Sequence, residues 1–205
     1  MARARTTEPP VAEIVVGTLD AVPTFPSFRR ATRDDAFLVA RATFLQGARV
    51  DMGTMAEQLA VSRATVYRWC GSREALHEQI LEQRALEFST WARAEARGEG
   101  EERVIDVLRH VLRATTNAQP VRRFMEREPK LALRILTLRD GAVHRVIAET
   151  LVDVAREAGT VSPDLKSRID DAVHLGAVMQ WATVAIDEEP DTEHIVGILR
   201  RQLTS

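Results

Sequence analysis

From Thr32 to the end of the chain, apolar residues recur at intervals of three and four, strand-like alternation is absent, and glycine and proline are sparse. That spacing predicts helices throughout. The first spans Arg33 to Gln46, with Ala36, Phe37, Ala40 and Phe44 as its apolar stripe, and stops at Gly47. A short second helix runs from Met52 to Leu59 behind Asp51, a suitable N-cap. Ala60 and Val61 make a tight connection, Ser62 caps a third short helix over Arg63 to Trp69, and Gly71 breaks it. Ser72 caps a long fourth helix, Arg73 to Arg97, and the polar stretch RGEGEER follows. Further helices are expected at 103–117, 120–127, 129–138, 141–158, 163–187 and 191–203. Residues 1–28 differ: they hold half of the eight prolines and read as an extended arm. The chain therefore divides into an arm (1–28), a unit of short helices (29–80) and a larger helical body (81–205).

Two short helices joined by a tight turn, behind a first helix, make a helix-turn-helix plan. Met55 and Leu59 are expected to face Val61 and Val66, over Phe44 as a floor. Val66 and Cys70 lie four apart on the third helix, so both point inward. Ala64, Thr65 and Arg68 then occupy the opposite half, and Arg63 projects from the helix end. Tyr67 and Trp69 flank the buried stripe, each roughly 80° from its centre. An exposed face of that kind suits DNA. Tyrosine and threonine hydroxyls donate to phosphate, arginine reaches phosphate or guanine, and Ala64 permits approach to a thymine methyl. Arg73 stands in the first turn of the fourth helix, where free backbone N–H groups already attract an anion.

Composition changes this picture little. Apolar residues make up 45% of the chain, the net charge is −2, and the single cysteine excludes an intrachain disulfide and multi-cysteine metal sites. Residues 28–80 carry 8 arginines against 6 acidic residues, a mild basic excess that permits DNA binding without arguing for it. No charge-free apolar run is long enough to span a membrane. The apolar stretch Ile14–Gly17 is too short for a secretory leader, so a cytoplasmic location is expected. Gly-rich phosphate loops and G-x-S-x-G are missing, and LHEQI (residues 76–80) lacks a second histidine at zinc-binding spacing. No catalytic residue, metal or cofactor is indicated, and an enzyme is not expected.

The stretch FLVARATFLQGARVDMGTMAEQLAVSRATVYRWCGSREALHEQIL resembles the TetR family of transcriptional regulators. The likeness rests on Phe44 and Gly47 closing the first helix, the Met55-Ala56 pair, VSRATVY and GSREAL. It implies an all-α fold, with an N-terminal three-helix helix-turn-helix domain and a C-terminal helical bundle for ligand binding and dimerisation. Carried over by position, Arg63, Ala64, Thr65, Tyr67 and Trp69 would touch a double-stranded operator, with Arg68 on the same face, and Arg73 would hold a phosphate. There are departures: Leu59 and Ala60 replace the usual small residue and glycine, Cys70 replaces an aromatic, and Gly53 replaces a residue that reaches DNA in some members. The helical layout of the remaining chain resembles regulators of quorum-signal and γ-lactone degradation operons in actinobacteria, which would make a lactone a candidate effector. The Arg- and Ala-rich, Lys-poor composition suits that source.

AVHLGAVMQWATVAI, Ala172 to Ile186, is apolar almost all round, so it must bury two faces. One is expected in its own core and the other against a second copy, with Gly176, Ala177 and Ala182 permitting close approach. Ile195, Ile198 and Leu199 of the last helix would complete a four-helix homodimer interface. A two-fold dimer also suits a palindromic operator. A small-molecule effector would lie between the middle helices, with Phe88, Trp91, Phe124, Met125, His174 and Trp181 as candidate lining residues. Each of these also fits plain core. His110 falls with Asp106, Arg113 and Asn117 on a polar face and reads as surface. Two rivals share the fold pattern: a helical adaptor that binds a protein through the same exposed face, and an activator rather than a repressor.

Overall fold

The structure, a computed structural model, describes residues 30–160 and 162–204. The expected arm, including Arg3 and Arg5, lies outside the described residues. Among the described residues ten helices follow in order: α1 (Arg33–Leu45), α2 (Met52–Gln58), α3 (Arg63–Cys70), α4 (Arg73–Glu95), α5 (Gly100–Thr116), α6 (Gln119–Arg127), α7 (Pro129–Thr137), α8 (Ala142–Glu157), α9 (Leu165–Ala185) and α10 (Thr192–Thr204). Among the described residues there is no strand. The fold is all-α, a helix-turn-helix unit followed by a helical body.

Local chemistry places the first four helices. Thr32 and Asp35 form a reciprocal capping box at α1: the Asp35 N–H donates to Thr32 Oγ1, and the Thr32 N–H donates to Asp35 Oδ2 at 2.8 Å. Asp51 Oδ1 accepts from the N–H groups of Gly53 (2.9 Å) and Thr54 (3.0 Å) at the start of α2. The hydrogen bond from the Thr54 N–H, chiefly, holds its carboxyl below the usual range. Ser62 and Ser72 accept from Thr65 N–H (3.1 Å) and Ala75 N–H (3.0 Å), starting α3 and α4. Each N-cap satisfies a donor that the helix itself leaves open.

Other boundaries move from those expected. α4 ends at Glu95, because Ala96 turns extended, and α5 starts at Gly100, three residues earlier than expected. α9 starts at Leu165 and ends at Ala185, short of Asp187, whose φ is 63°. The α6–α7 break is dictated by Pro129: proline disfavours helical backbone before it, and Glu128 adopts φ −136°, ψ 58°.

Two apolar clusters hold the molecule. The first joins Phe44, Met55, Leu59, Val66, Cys70, Leu76 and Ile80 to Phe124, Met125 and Trp181, so the short-helix unit shares its core with α6, α7 and the end of α9. The second is made by α5, α8, α9 and α10, with Leu108, Leu151, Ile169 and Leu199 at its centre. α4 runs unbroken between them. It is also docked on α1 through charge: Glu87 accepts from Arg41 (2.8 Å) and Arg84 (2.7 Å), and the Arg84 guanidinium lies 4.5 Å above the Phe88 ring. A carboxylate shared by two buried guanidinium groups keeps all three charges compensated.

Candidate nucleic-acid interface and regulatory core

The turn between α2 and α3 sets the outward face. Ala60 takes φ 51°, a left-handed conformation that favours glycine. The Val61 N–H then closes back on the Ala56 carbonyl at 3.0 Å. With the turn closed, Val66 and Cys70 are buried against Met55, Leu59 and Phe44, and Val61 packs beside them. Burial pushes the Cys70 thiol up, in keeping with a small apolar group.

That rooting turns the rest of α3 outward. Arg63, Ala64 and Arg68 are exposed, Thr65 is half-buried, and Tyr67 is 52% exposed. The Thr65 hydroxyl lies 2.9 Å from Ser62 Oγ, so it is shared with the cap. Trp69 is half-buried and packs on the first cluster, which gives it a structural role beside any contact to DNA. A methyl at Gly53 would come within 2.6 Å of the Arg63 guanidinium, so the missing side chain there seats Arg63 over the start of α2. Among the described residues, neither Arg63 nor Arg68 takes a carboxylate partner. Arg49, in the loop before α2, is exposed beside the groove that Phe44, His77, Phe124 and Glu128 line, at the junction with α6.

Arg73 behaves differently. It is half-buried and its guanidinium is 2.5 Å from Glu128 Oε1, on the α6–α7 break. Around this contact lies the joint between the two parts. The His77 Nδ1–H donates to the Arg73 carbonyl at 2.7 Å, and the His77 ring stacks on Phe124 at 4.7 Å. Phe44 meets both rings edge-on. Burial holds His77 below its usual pKa. Arg123 donates to the Gln46 carbonyl at 3.1 Å and Arg127 to that of Gly47, so α6 caps the end of α1. Glu74 pairs with Arg134 of α7. Of the residues in these joint contacts, only Arg73 and Phe124 are candidate site residues from sequence; Phe44 and Gly47 are read there only as the close of the first helix.

The six effector candidates are not gathered at one place. Phe88, Phe124, Met125 and Trp181 are buried in the first cluster, and Phe124 belongs to the joint. Trp91 is half-buried between the two clusters, edge-on to His110 at 5.4 Å. His110 is therefore half-buried on Trp91 rather than free on the surface, because its ring turns back along α5 to the Asp106 carbonyl at 2.7 Å. Trp91 Nε1 and His174 Nδ1 have no hydrogen-bond partner. A groove of about 510 Å³ runs along α8 and the start of α9, but it is lined by charged side chains such as Arg145, Glu149, Asp153 and Lys166.

The dimer candidates also divide. Gly176, Ile195 and Leu199 are buried within the single chain, and a methyl at Gly176 would stand 2.9 Å from Leu199 Cδ1. They pack α9 on α10 within the chain and leave little surface for a second copy. Ala177 packs on the first cluster, and Ile198 is half-buried. The accessible apolar residues of α9 are instead Val178 and Ala182, continued by Ile186 just past its end, with Val178 39% and Ile186 67% exposed; Leu175 packs on the second cluster.

Among the described residues no group of three or more potential ligands could hold a metal ion, and no helix is long and apolar enough to cross a membrane. A family model for the tetracyclin repressor-like C-terminal domain matches residues 99–204, just over half of the chain. No curated protein matches. Among solved structures, the transcriptional repressor QsdR of the TetR family, from R. erythropolis, is 25% identical with a TM-score of 0.76, over 83% of this chain and 93% of that one. The TetR family repressor AlkX of Dietzia sp. strain DQ12-45-1b, implicated in n-alkane biodegradation, is 22% identical with a TM-score of 0.50, over 78% and 95%. The second likeness bears on the fold alone.

Proposed function

We infer, from the premise that this chain belongs to the TetR family of transcriptional regulators, that it binds a palindromic operator as a homodimer, represses from it, and is released by a small-molecule effector. The observation that carries this reading is the outward face of α3. Arg63, Ala64, Tyr67 and Arg68 stand clear of a core that Val66 and Cys70 anchor, with Thr65 half-buried beside them. Two such faces related by a two-fold axis would read half-sites one turn or more apart. The accessible face of α9, with Ile198 of α10, is the dimer surface in this reading. The effector, a lactone on the subgroup resemblance, would enter near Trp91 and His174. Trp91 Nε1 and His174 Nδ1 are each buried without a hydrogen-bond partner, and these are the polar atoms that an effector would satisfy.

The test is selection of bound fragments from the source genome by the purified protein at near-physiological salt. Recovery of a palindromic site whose affinity falls steeply with salt supports the reading. Binding that is indifferent to salt, or no specific fragment, counts against it and favours a protein-binding adaptor. A panel of γ-lactones added to the bound complex then tests the effector class by release.

A further inference from the structure

Of the cations that α3 and α4 offer to a phosphate, one is already engaged by the body. Arg73 is the first residue of α4, immediately after the exposed Ser72 cap, and its guanidinium bonds Glu128 Oε1 at 2.5 Å. The two side chains are 33% and 17% exposed, so the pair is neither fully solvated nor sealed. Glu128 cannot readily follow a departing arginine. Its N–H donates to the Phe124 carbonyl and its own carbonyl accepts from the Ala132 N–H, both at 2.9 Å, and Pro129 stiffens the chain after it. Arg73, by contrast, has a long, one-third exposed side chain that follows directly on the exposed Ser72 cap. Arg63 and Arg68, which stand on the same DNA-facing unit, have no such partner among the described residues.

We propose that Glu128 is an autoinhibitory counter-ion for Arg73: it occupies the guanidinium in the DNA-free protein, and operator binding requires Arg73 to exchange this carboxylate for a DNA phosphate. The proposal rests on the DNA-binding reading and goes beyond it. It makes the number of cations that the DNA-binding unit presents a property of where the α6–α7 break stands. Carboxylate and phosphate are both anions that guanidinium binds with paired hydrogen bonds, so the exchange is close to balanced and easily biased.

The test is a double-mutant cycle read as affinity for a recovered operator fragment at fixed low salt. Glu128→Gln keeps the shape and removes the charge; it is expected to raise affinity about five-fold. Arg73→Gln lowers affinity, and Arg73→Gln/Glu128→Gln matches Arg73→Gln alone, because Glu128 acts only through Arg73. A gain from Glu128→Gln that persists without Arg73 overturns the proposal, since it would then be a general effect of removing negative charge. No gain, or a loss, overturns it too. Thermal melting checks that each variant folds. Should Glu128→Gln fail to fold, Glu128→Asp keeps the charge but shortens its reach, and a gain of about two-fold, again absent without Arg73, is expected. If the wild-type protein itself retains no DNA, the functional reading falls and the latch with it. If it binds and the cycle shows no coupling, the latch alone falls.

Discussion

Helices α3 and α9 both mix apolar residues with polar ones, yet they differ in how far a helical wheel determines their faces. In α3 only Val66 and Cys70 are buried, four residues apart, and charge or exposure surrounds them. A short helix with one apolar stripe has one favourable way to sit. In α9 buried residues (Ala172, Val173, Gly176, Trp181) and accessible ones (Val178, Ala182, Ile186) both belong to an apolar cylinder. Several rotations would satisfy its own sequence. The choice among them is made by α10, whose Leu199 fills the space over Gly176. A small residue marks close approach in either case, but it does not say whether the neighbour is the same chain or another.

The sharpest way to break this contrast is to cut α9's internal packing and its open face separately. Leu199→Ala, at a fully buried position, should lower unfolding stability by about 2–5 kcal/mol in denaturant titration. Val178→Asp, on the accessible face, should convert the proposed dimer to monomer in sedimentation while Leu199→Ala retains self-association. If Val178→Asp stays dimeric, the open face of α9 is not the interface.

On α3 the corresponding change is Tyr67→Ala. Its side chain is half out of the protein, so melting should hardly move, while operator affinity falls by about 1.5 kcal/mol, roughly tenfold. Unchanged affinity would remove Tyr67 from the interface.

Smaller effects test the frame that holds α3. Ala60→Gly should raise stability by about 0.5–1 kcal/mol, since glycine relieves the left-handed strain but adds freedom to the unfolded chain. A destabilised Ala60→Gly would mean that the turn conformation is not as described. The joint offers a smaller pH effect. The folded pKa of His77 is depressed by burial, so its contribution is complete above the ordinary value of 6.5 and is lost as pH falls below it toward the folded value. His77→Gln should therefore show a shallower loss of melting temperature than wild type over that acid window. Equal slopes would show that His77 does not feel its burial at the joint.

The sequence alone determined the all-helical fold, the start of each early helix and the outward face of α3. Those follow from interactions within a few residues: Asp51, Ser62 and Ser72 cap their own next turns, and Val66 and Cys70 share one stripe. It did not determine that Arg73 is held by Glu128, 55 residues away, that α6 caps the end of α1 through Arg123 and Arg127, or that Gly176 serves α10. Charge pairs and close helix approaches between distant segments leave no periodic trace along the chain, because any arginine can meet any carboxylate that the fold brings within reach. Only the packing of α4 between the two clusters decided which did.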